Sequence, residues 1–177
     1  MKIKGSHTLE SGKEEVWKML VDPEVLASIT PGVSELERIE GNQFYAISDV
    51  KIGPVKGTFK GNLSLENIVE NEKMTVKVDQ KSNMGNAVAS INLTLNEIQD
   101  GTTEIQYEGK AKLSGRLASM GQRILGGVIN TLSKEFFLEL ENAILTTSDE
   151  EATPRKKPSW WQKLIQIIRH MFGSNKN

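Results

Sequence analysis

Apolar and polar residues alternate along most of the first 113 positions, as expected for strands that bury one face. In residues 55–65, Val55, Phe59 and Leu65 fall on one face, while the other face carries only polar side chains. Turn residues such as Gly53-Pro54 separate successive alternating stretches. The sequence therefore predicts an antiparallel meander with one side in water.

Two short helices are predicted between the first two strands. Ser11 is a candidate N-cap for the first helix, and Asp22-Pro23 starts a second helix that Pro31-Gly32 ends. After Leu113 the apolar period becomes helical and remains so to about Leu145. A helix of about 30 residues is roughly 45 Å long and can cross a whole sheet. The fold class is therefore α+β, with sheet and helix as two layers of one core.

Six glycines occupy positions where glycine weakens regular structure. Three lie on inward strand faces and three lie in the long helix: Gly57, Gly61, Gly109, Gly121, Gly126 and Gly127. They could leave room for an apolar ligand, or they could permit sheet curvature and close contact between helix and sheet. Their spacing alone favours the second explanation.

The chain is predicted to divide into a folded domain, 1–145, a flexible linker, 146–158, and an amphipathic helix, 159–172. The linker sequence TTSDEEATPRKKP has no apolar periodicity. The helix carries its apolar side chains on one face, and Lys163 and Arg169 lie on the other. The apolar face consists of Trp160, Trp161, Leu164, Ile165, Ile167, Ile168, Met171 and Phe172.

Charge is distributed unequally between the domain and the tail. From Arg155 onward there are six basic residues and no acidic one, whereas the rest of the chain has 16 basic and 23 acidic residues. A basic helix that begins with paired tryptophans is typical of binding to an anionic membrane surface, which we favour. Docking in the groove of a partner protein, or packing on the chain's own domain, would also cover the apolar face.

Composition argues against several kinds of chemistry. The chain has no cysteine and only two histidines, and we find no phosphate-binding loop, paired metal ligands or nucleophile with an adjacent base. We therefore expect no catalytic residues and no metal site, and we interpret His7 as an inward histidine with a satisfied partner. Lys51, Lys56 and Lys60 could form a basic patch, but a solvated sheet face is the commoner explanation. The acidic domain argues against nucleic acid as a partner.

Three stretches of the domain resemble a known family: DPEVL (22–26), ITPGV (29–33) and KIGPVKGTFKG (51–61). Over residues 1–145 the chain resembles the CoxG family, a family of carbon monoxide dehydrogenase subunits in the START/Bet v 1-like (SRPBCC) superfamily. The resemblance implies a helix-grip fold, in which a curved antiparallel sheet wraps around the long C-terminal helix and two short helices follow the first strand.

The resemblance also implies a function. It implies a non-catalytic, membrane-associated adaptor that recruits a molybdenum hydroxylase, such as carbon monoxide dehydrogenase, to the cytoplasmic membrane. An internal cavity would carry an apolar small molecule, a quinone or a lipid, as cargo and not as a cofactor. Because no signal peptide or membrane-spanning segment is recognisable, we expect a cytoplasmic protein at the inner membrane face. The alternative is a small-molecule enzyme of the same fold, a cyclase or hydrolase, which an acid or histidine lining the cavity would favour.

With the resemblance included, a ligand cavity becomes the favoured explanation of the glycines. Its walls would be inward strand residues and the adjoining helix face. The candidates for ligand binding are Ile29, Pro31, Val50, Ile52, Val55, Phe59, Val76, Ile91, Leu117, Met120, Ile124 and Val128.

Overall fold

The computed structural model describes residues 1–99 and 101–150 of the chain. The elements follow one another as β1 Lys2–Leu9, α1 Lys13–Val21, α2 Pro23–Ile29, β2 Val33–Glu40, β3 Gln43–Ile52, β4 Val55–Val69, β5 Lys73–Ser82, β6 Gly85–Gln99, β7 Thr102–Leu113, α3 Gly115–Ser119 and α4 Gly121–Glu150.

The strands form one antiparallel sheet of seven strands in the order β1-β7-β6-β5-β4-β3-β2. Strands β2 to β7 pair in sequence as a meander, and β1 pairs with β7 at one edge. The buried side of each long strand follows the alternation in the sequence; in β3, Phe44, Ala46 and Ser48 are buried while Tyr45 is exposed. The predicted helix-grip architecture is confirmed.

The two short helices begin close to their predicted positions. The Asp22 carboxylate accepts hydrogen bonds from the backbone N–H groups of Glu24 and Val25, so it caps α2 as expected. The N-cap of α1 is Gly12, and the predicted cap, Ser11, lies one residue earlier. The Ser11 hydroxyl instead donates to Glu15 at 2.6 Å.

The predicted long helix is divided near its start. Residues Gly115–Ser119 form the short helix α3, and α4 begins at Gly121, whose φ of +78° favours glycine. At the other end α4 continues to Glu150, past the boundary at residue 145 where we expected the linker to begin. The rest of the predicted linker and the whole of the predicted amphipathic helix lie outside the described residues.

The buried apolar side chains separate into two clusters, which contact different halves of α4. The first cluster contains Phe137, Leu140 and Ile144 of α4, with side chains from α1 and the sheet. Its other buried members are Leu9, Val16, Trp17, Met19, Leu20, Ile29, Phe44, Leu65, Met74, Leu95 and Ile105. The second cluster consists of Val55, Phe59, Met84, Leu117, Leu125 and Val128. The helix therefore contacts the core through two separate stretches, around Leu125 and Val128 and from Phe137 to Ile144.

The inward face between the two clusters is only half-covered. Ile91 and Gly109 face each other across β6 and β7, and both are half-buried. In a filled two-layer core, residues at the centre of the inward face would be the most deeply buried. The helix therefore does not fully cover the middle of the inward face.

The inward strand glycines have a structural explanation. A β-carbon on Gly61 or Gly109 would overlap the neighbouring strand, at the carbonyl oxygens of Asp79 and Ser90 respectively. These two glycines therefore permit close approach of backbones in the curved sheet, as the spacing favoured. In α4, by contrast, β-carbons on Gly126 and Gly127 would meet no described atom within 4 Å apart from the adjoining backbone of the helix itself.

Candidate functional site

A groove opens at the edge of the sheet, where β1 passes alongside the middle of α4. Its volume is about 510 Å³, which lies in the range of small-molecule binding sites. Its lining residues come from β1, β7 and α4 and are Ser6, His7, Tyr107, Asn130, Ser133, Lys134, Phe137, Leu138 and Glu141. We call it the β1–α4 groove.

His7 and Glu141 are the central polar pair of the groove. The His7 Nε2 atom lies 2.7 Å from the Glu141 Oε1 atom, and both side chains remain partly exposed to solvent. The imidazole ring also stacks on the Phe137 ring, with centroids 4.5 Å apart and an interplanar angle of 11°. Because a hydrogen bond and a ring stack act on the same imidazole, its orientation is fixed from two sides.

Aromatic rings continue from this pair into the interior. The rings of Tyr107 and Phe136 lie 5.7 and 5.3 Å from the Phe137 ring, respectively. The Tyr107 ring occupies space that a side chain at Gly5 would need, because a β-carbon there would overlap its hydroxyl oxygen. Glycine at this position therefore lets the tyrosine lie across β1 and form one wall of the groove.

The contacts of His7 fit the prediction of an inward histidine with a satisfied partner. In sites where a base activates a hydroxyl or thiol nucleophile, the two groups usually lie within hydrogen-bonding reach. Ser6 and Ser133 line the groove, but neither bonds to the imidazole; Glu141 is its hydrogen-bond partner within the described part of the chain. The same part of the chain contains no cluster of three or more His, Cys, Asp or Glu residues able to hold a metal ion.

The structure brings seven of the twelve predicted ligand-binding residues together at one end of the domain. Val55, Phe59, Leu117 and Val128 are buried in the second cluster. The others in this group pack against it while remaining partly exposed; they are Val50, Ile52 and Met120.

The remaining five predicted residues lie elsewhere. Ile29 belongs to the first cluster and Val76 packs against it. Pro31 and Ile91 are half-buried, and Ile124 is 45 % exposed on α4. The twelve residues are therefore spread over both clusters and the surface between them, and their role in ligand binding stays a prediction.

None of the twelve predicted residues lines the β1–α4 groove. Sequence reasoning did not anticipate this groove, because His7 and Glu141 are 134 positions apart. One available signal was the inward position of His7 in a strand with small neighbours. A second was Phe137, which lies one helical turn before Glu141 and therefore on the same face of α4.

The predicted membrane-binding residues, from Trp160 to Phe172, lie outside the described residues. Within residues 1–99 and 101–150, no helix combines the length and the hydropathy that crossing a membrane would require.

Comparisons with known proteins agree on the fold. A conserved protein from Geobacillus kaustophilus has a similar structure, with a TM-score of 0.81 and 29 % sequence identity over 83 % of this chain and 97 % of that chain. A START superfamily protein from Mycobacterium smegmatis aligns with a TM-score of 0.66 and 9 % identity, over 82 % of this chain and 98 % of that one. The Zhui aromatase/cyclase from Streptomyces sp. R1128 aligns with a TM-score of 0.58 and 13 % identity, over 86 % and 96 %. At these identities the last two show the fold alone.

The family comparison is more specific. No curated protein sequence matches this chain significantly. The model of the CoxG family, which is described as a subunit of carbon monoxide dehydrogenase, matches residues 5–145. The match includes most of β1, the other six strands and most of α4. The chain therefore belongs to the CoxG family of carbon monoxide dehydrogenase subunits and has a START-like fold.

Proposed function

We propose that this protein is a non-catalytic adaptor and carrier at the cytoplasmic face of the membrane. In this proposal it recruits a molybdenum hydroxylase of the carbon monoxide dehydrogenase type and holds an apolar molecule, a quinone or a lipid, between sheet and helix. The family description, which names a subunit of carbon monoxide dehydrogenase, supports the choice of partner.

The observation that carries the proposal is the half-covered middle of the inward face. Burial is greatest in the two clusters, while Ile91 between them keeps part of its surface free. Exposed apolar surface inside a fold is unfavourable by about 25 cal/mol per Å². An apolar ligand would remove this cost by covering that surface.

The β1–α4 groove supplies a suitable entrance for such a ligand. Phe137, Leu138 and Tyr107 provide apolar contact, while Glu141 and Lys134 provide polar groups at the opening. A molecule with an apolar body and a hydrogen-bonding head group would contact both the apolar and the polar residues of the groove. Quinones and lipids both have that construction.

The contacts of His7 support a binding site more than an enzyme active site. Its imidazole is already bonded to Glu141 and stacked on Phe137, so moving it toward a substrate would break both contacts. A cyclase or hydrolase would also need a reactive group at this position, and neither Ser6 nor Ser133 bonds to the imidazole.

The tail is the proposed membrane anchor. Flotation with vesicles tests this part of the proposal on the full chain. A variant with Trp160, Trp161 and Ile165 changed to serine should lose most binding, because burying each large apolar side chain contributes roughly 1.5–3 kcal/mol. A control with three lysines of the domain changed to glutamine, Lys13, Lys18 and Lys73, removes charge outside the tail. Unchanged flotation of the serine variant would refute anchoring by the tail.

Recruitment is tested in the same assay. A purified molybdenum hydroxylase should float with vesicles only when this protein is present, and it should remain in solution with the serine variant. If the hydroxylase stays in solution although the wild-type protein is fully bound to the vesicles, the proposed adaptor role is wrong.

A further inference from the structure

The outer face of the sheet carries three pairs of lysines that stand directly opposite each other on neighbouring strands. The pairs are Lys2 with Lys110, Lys51 with Lys56, and Lys60 with Lys81. We call these six residues the lysine face. All six side chains are exposed and alternate with inward-facing residues, so they project from the water-exposed side of the sheet. Like charges directly opposite each other destabilise an antiparallel pair.

The lysine face is not neutralised by the domain itself. Among the described residues, none of its six lysines makes an ion pair, whereas Lys77 bonds to Glu66 at 2.6 Å on the same side of the sheet. The acidic side chains nearby are Asp79, Asp49, which accepts a hydrogen bond from the Thr58 hydroxyl at 2.6 Å, and Glu108, which lies 4.0 Å from Lys4. A domain with excess acidic residues thus leaves its lysines unpaired in one region.

The pairs lie toward one end of the sheet. Strand register places Lys2 and Lys110 at the N-terminal end of β1, beside the start of β6, and it places Lys60 and Lys81 near the turn between β5 and β6. A shallow hollow of about 470 Å³ lies in the rows between these two pairs. Its lining residues are Asn62, Ser64, Lys77, Val78, Asp79, Val88, Ala89, Ser90, Lys110 and Lys112.

We propose that the lysine face is a second membrane contact, which binds the headgroups of anionic lipids. The proposal rests on the proposed attachment to membranes and adds to it a site in the folded domain. Composition favours lipid over a protein partner, because protein interfaces are enriched in aromatic residues and arginine and depleted of lysine. No arginine lies among the described outward side chains around the lysine face, and the large side chains exposed beside it are Tyr45, opposite Asn62, and Val88.

The test is binding of the full chain to two kinds of vesicle, pure phosphatidylcholine and phosphatidylcholine with about 30 % phosphatidylglycerol. The first variant changes one member of each pair: Lys56→Gln, Lys81→Gln and Lys110→Gln. The second changes the other members: Lys2→Gln, Lys51→Gln and Lys60→Gln. The control is the Lys13, Lys18 and Lys73 glutamine variant, which loses the same charge from positions outside the lysine face.

Each lysine close to an anionic surface strengthens binding by about fivefold, so both variants should lose about tenfold or more on anionic vesicles. The control should lose less than about threefold, and raising the salt to about 0.5 M should abolish the difference. Both variants should bind neutral vesicles like the wild type, because that binding depends on the tail. The variant with Trp160, Trp161 and Ile165 changed to serine tests the tail separately. If that variant binds both kinds of vesicle as well as the wild type does, the tail is not the anchor.

The variants relieve like-charge pairs, so we expect their melting temperatures to equal or exceed that of the wild type. If either variant binds anionic vesicles as tightly as the control does, the proposal is wrong. That result, combined with lost capture of the hydroxylase, would assign the lysine face to an acidic protein instead.

Discussion

The imidazole of His7 and the carboxylate of Glu141 meet at 2.7 Å, although 134 positions separate them in the chain. This contact joins the edge strand β1 to α4 at the opening of the β1–α4 groove. The same contact therefore stabilises the edge strand β1 and shapes the groove that we propose as the ligand entrance.

Two substitutions of His7 distinguish the energy of the ring stack from that of the contact with Glu141. His7→Ala removes both contacts and should lower the free energy of unfolding by about 1–2 kcal/mol, since ring stacking contributes about 0.5–1.5 kcal/mol and partly exposed polar pairs less than about 1. His7→Phe keeps a ring against Phe137 and should lose roughly half as much. Urea unfolding measures both values. Equal losses in the two variants would mean that the stack on Phe137 contributes nothing.

A side chain at position 5 should distort the groove. Gly5→Ala places a methyl group where the Tyr107 hydroxyl lies, so the ring must move or the strand must shift. We expect a loss of about 1–3 kcal/mol in unfolding free energy, as for other overpacked sites. The matched control is Gly12→Ser, where an added β-carbon has room and stability should change by roughly 0.5 kcal/mol or less. Similar stability of the two variants would contradict the close contact with Tyr107.

Enlarging Ile91 tests for space at the centre of the inward face. Ile91 is half-buried there, whereas Ile105 is 1 % exposed in the first cluster. Ile91→Phe should therefore be tolerated within about 1 kcal/mol, while Ile105→Phe should cost about 1–3 kcal/mol through overpacking. Thermal unfolding compares the two. If Ile91→Phe destabilises as much as Ile105→Phe, the middle of the fold is filled.

The pKa of Glu66 is lowered, chiefly by its hydrogen bond with Lys77. Desolvation acts in the opposite direction, and the hydrogen bond from Ser64 and the charge of Lys77 lower the pKa further. Because the folded-state pKa lies below the unfolded one, the interaction stabilises the fold at pH above the unfolded-state pKa of Glu66 and is lost as the pH falls through the folded-state pKa.

Lys77→Met should raise the pKa of Glu66 toward its ordinary value. An NMR titration of the Glu66 carboxyl carbon measures the shift directly. Lys60→Met is a suitable control, since Lys60 makes no ion pair within the described residues. An unchanged midpoint in Lys77→Met would mean that another group lowers the pKa.

Local patterns in the sequence predicted the elements of the fold well. The alternation of Phe44, Ala46 and Ser48 gave the buried face of β3, and Asp22 caps α2 as its side chain suggested. The meander followed because a short turn joins each strand from β2 to β6 to the next one. These features depend on residues close together in the chain, so periodicity and turn chemistry determine them.

The position of the candidate site was harder to predict from the sequence. Inward alternation placed Ile29 and Phe59 in one set, but the structure assigns them to different clusters. Alternation gives the face of a residue and not its position along that face. The groove beside His7 depends on the register of α4 against the sheet edge, which arises from tertiary packing over long sequence separations.

The central claim is that the space between sheet and helix holds an apolar molecule. Native mass spectrometry of the full chain, purified without detergent and then incubated with lipid and quinone vesicles, tests it most directly. We predict a complex with one bound apolar molecule for the wild type and a much smaller bound fraction for Ile91→Phe, whose larger side chain fills the space. A wild-type spectrum that contains only the mass of the bare chain would contradict the account.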